Sequence, residues 1–284
     1  MRRTFRKAML LAVFLSVPVS AWAGWVAEWT NVATKPNGDK ADPQPSSMTI
    51  AGNQVRLEQA DAITMIDYNT GTYTLLNPQR HSFWRGTVDE YVRQVARSRA
   101  DAMRQKLIDV GRQQEVGQVS DVPAKVDPAK LPPVSIANTG VTEKIAGYDT
   151  AKYDVKVDGE LFQELWVAPV DVSADLDFNR FLAQQRKISA GMVGRAATQY
   201  NAVYASDEYR KLLEKTFVLK MKAHHLGGGF ERTATSIKQT EVAPTQFQVP
   251  EAYRKVNLSD VMPKPPAPEP QPQHQQLQVP KKGS

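Results

Sequence analysis

The sequence predicts an α+β protein: a curved antiparallel β-sheet covered by helices and followed by a disordered C-terminal tail. Three observations predict it. Stretches such as "NQVRLEQADAITMIDYNTGTYTLLNP" (53–78) alternate apolar and polar residues and are broken by turn residues, the pattern of half-buried strands. The connections between these stretches are short, and short connections require antiparallel pairing. At Thr87 the apolar spacing then changes to that of a helix.

The elements follow in order. Residues 1–23 form a secretory signal: "MRRTFRK" carries four basic residues, "AMLLAVFLSVPVS" is a short apolar run, and Ala21 and Ala23 sit at cleavage-site positions. An uncleaved anchor is the weaker reading. "RRTFRK" also has the look of a twin-arginine signal, although the strong apolar run favours ordinary secretion. "GWVAEWTNV" (24–32) is a first strand, and a polar loop follows it. "SSMTIAG" and "NQVRLEQ" pair across Gly52–Asn53, and "AITMID" and "TYTLLN" pair across Tyr68 to Gly71.

Thr87 and Glu90 stand at capping-box spacing, which starts a helix from 88 to about 114. Its stripe of Val88, Tyr91, Val92, Val95, Met103, Leu107 and Val110 thins at "RSRAD". That describes a helix lying across a surface. "GQVSDVPAKVDPAKLPP" (117–133) has no period and is a loop or a boundary between halves.

"GVTEKIAG", "TAKYDVKV" and "ELFQELWVA" form a second group of strands. Charge matching places Lys156 opposite Glu160 and Lys152 opposite Glu164, with a three-residue loop at Val157–Gly159. Each such pair contributes about 0.2–1 kcal/mol. A two-residue loop would instead set Lys156 against Leu161. In the favoured register Phe162 and Trp166 lie on the charged face and need a cover. A helix at 177–193 is the candidate, with Phe178, Phe181, Leu182, Ile188 and Met192 at helical spacing. Ser206 caps a further helix through "DEYRKLLEK". "TFVLKMKAHH" and "FERTATSIKQTEV" make a last strand pair, and "TQFQVPEAYRKV" closes a single domain, 24–262. Residues 263–284 hold seven of the nineteen prolines and almost nothing apolar, so they form an extended, disordered tail.

Charge excludes one class of function. The chain has 36 basic and 30 acidic residues. The signal holds four of the basic ones, leaving 32 against 30. The tail carries Lys264, Lys281 and Lys282 against Glu269, so the body is formally neutral. It offers no basic surface for a nucleic acid. There is no cysteine, hence no disulfide, lipid-anchoring thiol or thiol nucleophile. After the signal no stretch is long and apolar enough to span a bilayer, so a soluble periplasmic or secreted protein is expected.

Catalytic signatures are weak. His224 and His225 are neighbours on a strand and point to opposite faces, so they make poor joint metal ligands. "LGGGFE" lacks the ending of a phosphate loop, "GMVGR" has no strand before it, and no serine sits in a nucleophile elbow. Asp67 fits turn initiation. A pair of catalytic carboxylates leaves no local signature, so that one class stays open. No cofactor or metal is expected. Trp25, Trp29, Met65, Trp84, Phe162 and Trp166 are core residues when taken singly. Taken together they line a concave apolar surface, and they are the candidate ligand-binding residues.

Three stretches carry a resemblance: 50–84, 139–168 and "FQVPEAYRKV" (247–256). The pattern resembles a family of exported bacterial proteins with an uncharacterised domain. More distantly, it is similar to the periplasmic lipoprotein carriers and their outer-membrane receptors. The resemblance implies an unclosed half-barrel whose helix-covered hollow accepts acyl chains, with a lipid or lipoprotein as partner. No functional basic residue of a carrier maps onto this chain. The reading is therefore a non-enzymatic envelope protein binding an apolar ligand. The alternative is a structural or interaction module that docks an envelope protein through its long helix or its Pro-rich tail.

Overall fold

The computed structural model describes residues 22–35, 37–122, 126–192, 194–225 and 228–262. Most of the expected signal and the whole of the expected tail lie outside the described residues. Twelve strands form one open, half-barrel-like sheet. The first is β1 (Trp22–Thr34), which begins two residues inside the segment read as signal. β2 (Gln44–Ala51), β3 (Gln54–Gln59), β4 (Ala62–Asp67), β5 (Thr72–Asn77) and β6 (Ser82–Thr87) run outward from it as an antiparallel meander. β6 had no counterpart in the sequence reading.

α1 (Val88–Asp109) and the connector carry the chain to the opposite edge of the sheet. There β7 (Val134–Ile145) begins a second meander through β8 (Tyr148–Val157) and β9 (Glu160–Ala168). It returns through β10 (Phe217–His225) and β11 (Gly228–Val242), which pairs with β1. The connector holds two short 3-10 turns, at Gln113–Gln118 and Pro128–Lys130. Between β9 and β10 lie α2 (Phe178–Ala190), α3 (Gly194–Ala205) and α4 (Asp207–Leu213).

The helices cover one face. Val88, Val92 and Val95 of α1, Phe178 and Leu182 of α2, Val203 of α3 and Tyr209 of α4 share one core with Trp29, Ile50, Val55, Trp84 and Leu165 of the sheet. The other face is apolar too at β4 and β5: Ile63, Met65 and Leu76 form a separate cluster with Phe83, Val249 and Tyr253. The chain's own C-terminal segment covers it. After β11 that segment runs beneath the sheet and adds β12 (Arg254–Lys255) along the β6 edge. It then sets α5 (Leu258–Val261) into the main core. β12 pairs with β6 in parallel, whereas the other neighbouring strands of the described sheet pair antiparallel. A strand that arrives after a long excursion is free of the hairpin constraint.

The β8–β9 register differs from the charge-matched one. Asp158 and Gly159 have φ of 53° and 78°, a two-residue turn with both central residues left-handed. Val157 pairs with Glu160 and Lys156 with Leu161, and a bulge then brings Gln163 opposite Val155. The extra residue is Phe162. It is 0% exposed, whereas Leu161 is 38% exposed. Burying a phenylalanine contributes about 1.5–3 kcal/mol, more than one cross-strand charge pair. The ion pair survives in another form, because Lys152 reaches Glu164 on the diagonal.

Candidate functional site

A large open space lies within the helix layer, away from the hollow of the sheet. α1 supplies Ala96, Arg99, Ala100 and Met103 to one wall, and the connector supplies Val119, Ser120, Val122, Val126, Asp127, Lys130 and Leu131. Ala190, Gly191 and Met192 at the end of α2, with Ala197, Thr198 and Asn201 of α3, form the other wall. The cleft has a volume of about 880 Å³. Small side chains create it: where "RSRAD" interrupts the stripe of α1, alanines stand in place of larger residues and leave the neighbouring helices unfilled. Large apolar groups remain open to solvent on its walls. Met103 is 51% exposed, Val122 70% and Met192 37%.

Several polar contacts shape the cleft. Arg99 Nη1 donates to the Gly191 carbonyl at the C-terminus of α2. Arg104 Nη2 donates to the Val119 carbonyl at 2.9 Å and ties the connector to α1. Asp127 accepts from the Ala129 amide at 3.1 Å and pairs with Lys130 at 3.8 Å. Asn201 is buried and spends its side-chain amide on the Ala197 carbonyl of its own helix. The lining holds one carboxylate, Asp127, already paired. Such a site can enclose an apolar group and meet a charged group at one end. Among the described residues, no three His, Cys, Asp or Glu side chains gather as a metal centre would require.

A second cleft of about 460 Å³ lies under the C-terminal segment, between Met65, Asp67, Thr74, Arg85, Phe247 and Val249.

Of the six candidate ligand-binding residues, Trp29, Trp84, Phe162 and Trp166 belong to the main core, Trp25 packs against it, and Met65 stands apart. Met65 belongs to the outer cluster and touches this second cleft. Trp29 lies in the main core, 6.1 Å from the Phe217 ring, with the Arg232 guanidinium 4.5 Å above its face. Burial pushes the Arg232 pKa below the ordinary arginine value, opposed by nearby Tyr209 and Tyr204. Trp84 is buried 6.2 Å from Tyr91, and Phe162 meets Tyr200 of α3 at 5.0 Å. Half-buried Trp25 lies within hydrogen-bond reach of Asp175. Burial raises the Asp175 pKa more than that bond lowers it.

Trp166 is covered by cations. The ammonium groups of Lys152, Lys220 and Lys222 stand 5.4, 4.6 and 5.4 Å from its ring centroid. The cover that the sequence demanded for its two aromatics is therefore a helix for Phe162 and lysines for Trp166. His224, set aside as a metal ligand, instead pairs with Glu164 at 2.9 Å. Burial pushes the Glu164 carboxyl up, but its bonds to Lys152 and His224 outweigh that and hold it below the usual carboxylate value.

None of the six candidates lines the helix-layer cleft. The sequence signal that points to it is the run of small residues inside α1, together with the apolar Met103 beyond it. Its far wall was not legible, because α3 was not recognised as a helix.

No family model and no curated protein matches the chain. Among solved structures it is similar to PNGF-II, at 12% identity and a TM-score of 0.34, covering 84% of this chain and 32% of that one. A chain in the complex structure of Pseudomonas aeruginosa MucA/MucB gives 11% identity and a TM-score of 0.34, covering 81% and 56%. A DUF1329 family protein from Desulfovibrio piger ATCC 29098 gives 10% and 0.28, covering 86% and 93%. The chain thus spans a third of the length of the first of these and about half that of the second. Likenesses at these identities and TM-scores assign neither a family nor an activity.

Proposed function

We propose that this protein is an exported, non-enzymatic binding module that holds an apolar chain, such as the acyl chain of a lipid or lipoprotein, between α1 and α2–α3. The observation that carries the proposal is the cleft of about 880 Å³ with Met103, Val122 and Met192 left open on its walls. Its size falls in the ordinary range of small-ligand sites, and its lining is mostly apolar with few polar groups. Exposed apolar surface of this kind marks binding sites. The signal in the first 23 residues supports action in the periplasm or outside the cell. Among the described residues no helix is long and apolar enough to cross a membrane.

Native mass spectrometry of protein purified from a membrane-containing extract tests this. A co-purifying lipid is expected, and it should be lost from Ala197→Trp, which fills the cleft from its α3 wall. Protein without bound lipid, and without uptake of decanoate or 1-decanol after delipidation, would end the proposal.

A second reading rests on a separate observation. Ile108 and Val110, 44% and 59% exposed, stand beyond the cleft at the end of α1. There they would dock an envelope protein. Pull-down partners lost from Ile108→Glu but retained by Ala197→Trp would favour it.

A further inference from the structure

We propose that Arg99 reads an anionic head group, so that the ligand of the cleft is an acidic amphiphile carrying a carboxylate or phosphate. The inference rests on the acyl-binding reading and adds the polar half of the ligand. Arg99 lines the cleft, and its guanidinium is held at the wall by the Gly191 carbonyl. It forms no ion pair with any described residue. Of the other cations nearby, Lys130 also lines the cleft but is mostly exposed and stands 3.8 Å from Asp127, and Arg104 pairs with Asp101 at 2.8 Å.

A role confined to capping α2 would use one of the five N–H donors of Arg99. A cation at a helix C-terminus is favourable in its own right. That role explains the Gly191 bond, but Arg99 is exposed and lines the cleft, so its other N–H groups remain accessible there. The same helix end supplies the discriminating argument. It carries partial negative charge and would repel an anion placed beside it. An acidic head group is accommodated there only while Arg99 offsets that field with its charge and its planar fork. Without Arg99 the cleft should prefer a neutral head.

The test is calorimetric titration of the delipidated, full-length mature protein with decanoate, decyl phosphate and 1-decanol. The wild type is expected to bind one or both anions about tenfold more tightly than the alcohol, the increment of a charge-assisted hydrogen bond. Which anion leads separates a free fatty acid from a phospholipid-type head. Added salt should shrink the preference.

Arg99→Gln should reverse the preference while still binding the alcohol. Arg99→Lys keeps the charge and a donor for Gly191 and should retain part of it, which covers the case of a misfolded glutamine variant. An anion-to-alcohol ratio unchanged in both variants would overturn the role of Arg99 and leave the acyl-binding reading intact. Loss of all three ligands from a folded Arg99→Gln would also overturn it, reducing Arg99 to a wall residue. Failure of the wild type to bind any of the three would overturn both.

Discussion

At Thr87 two local hydrogen bonds settle where β6 stops and α1 begins. The Glu90 amide donates to Thr87 Oγ1 at 3.1 Å, and the Thr87 amide donates to Glu90 Oε2 at 2.7 Å. Both residues stand close in sequence, so the motif was legible without a structure. Thr87→Ala should cost about 0.5–2 kcal/mol, measured as a lowered urea midpoint. Glu164 is the contrasting case, since its partners come from β8 and β10 and the expected facing pair became a diagonal one. Its folded pKa is depressed, so its contribution is present above the ordinary carboxylate pKa and is lost as pH falls through the folded value. The stability gap between the wild type and Glu164→Gln should therefore be larger at pH 7 than at about pH 3, below the ordinary carboxylate pKa. Urea titrations at the two pH values check this, and a gap that widens in acid would contradict it.

Among the elements, α1 divides into two physical halves. Val88, Val92 and Val95 are buried, whereas Met103, Ile108 and Val110 are exposed. Val92→Ala should cost about 1–3 kcal/mol, whereas Met103→Ala should change ligand-free stability by less than about 0.5 kcal/mol. Hydrogen exchange should protect residues 92–96 more than 103–107. Gly191 ends α2 with an ordinary helical φ of −76°, so its lack of a side chain matters and its backbone freedom does not. A Cβ there would lie 3.1 Å from Val92 Cγ1, where α1 passes. Gly191→Ala should therefore gain less than the ~0.4–1 kcal/mol usual for alanine at such a backbone, because Val92 must yield, read as the change in Tm. The thin stripe of α1 was visible in the sequence as a surface-lying helix. Its partner α3, "GRAATQYNAVYA", is small and polar enough to hide its helical period, which is why the cleft between them went unseen.

For the molecule as a whole, the deciding feature is that β4 and β5 are apolar on both faces. Helices cover one face, and the C-terminal segment through Val249 and Tyr253 covers the other. A chain ending at Ala243 should expose Ile63, Met65 and Leu76 and the β6 edge, and should aggregate on expression. Light scattering against the full mature chain measures this. The sequence by itself determined most of the hairpins in both meanders, the start of α1 and the mostly antiparallel α+β architecture. Each rests on a period, a turn or a cap spanning a few neighbouring residues. Only the tertiary structure decided the β8–β9 register, the parallel β12–β6 edge, the lysine cover on Trp166 and the place of the cleft. Those depend on side chains distant in sequence competing for one volume, and no local pattern records which of them fills it.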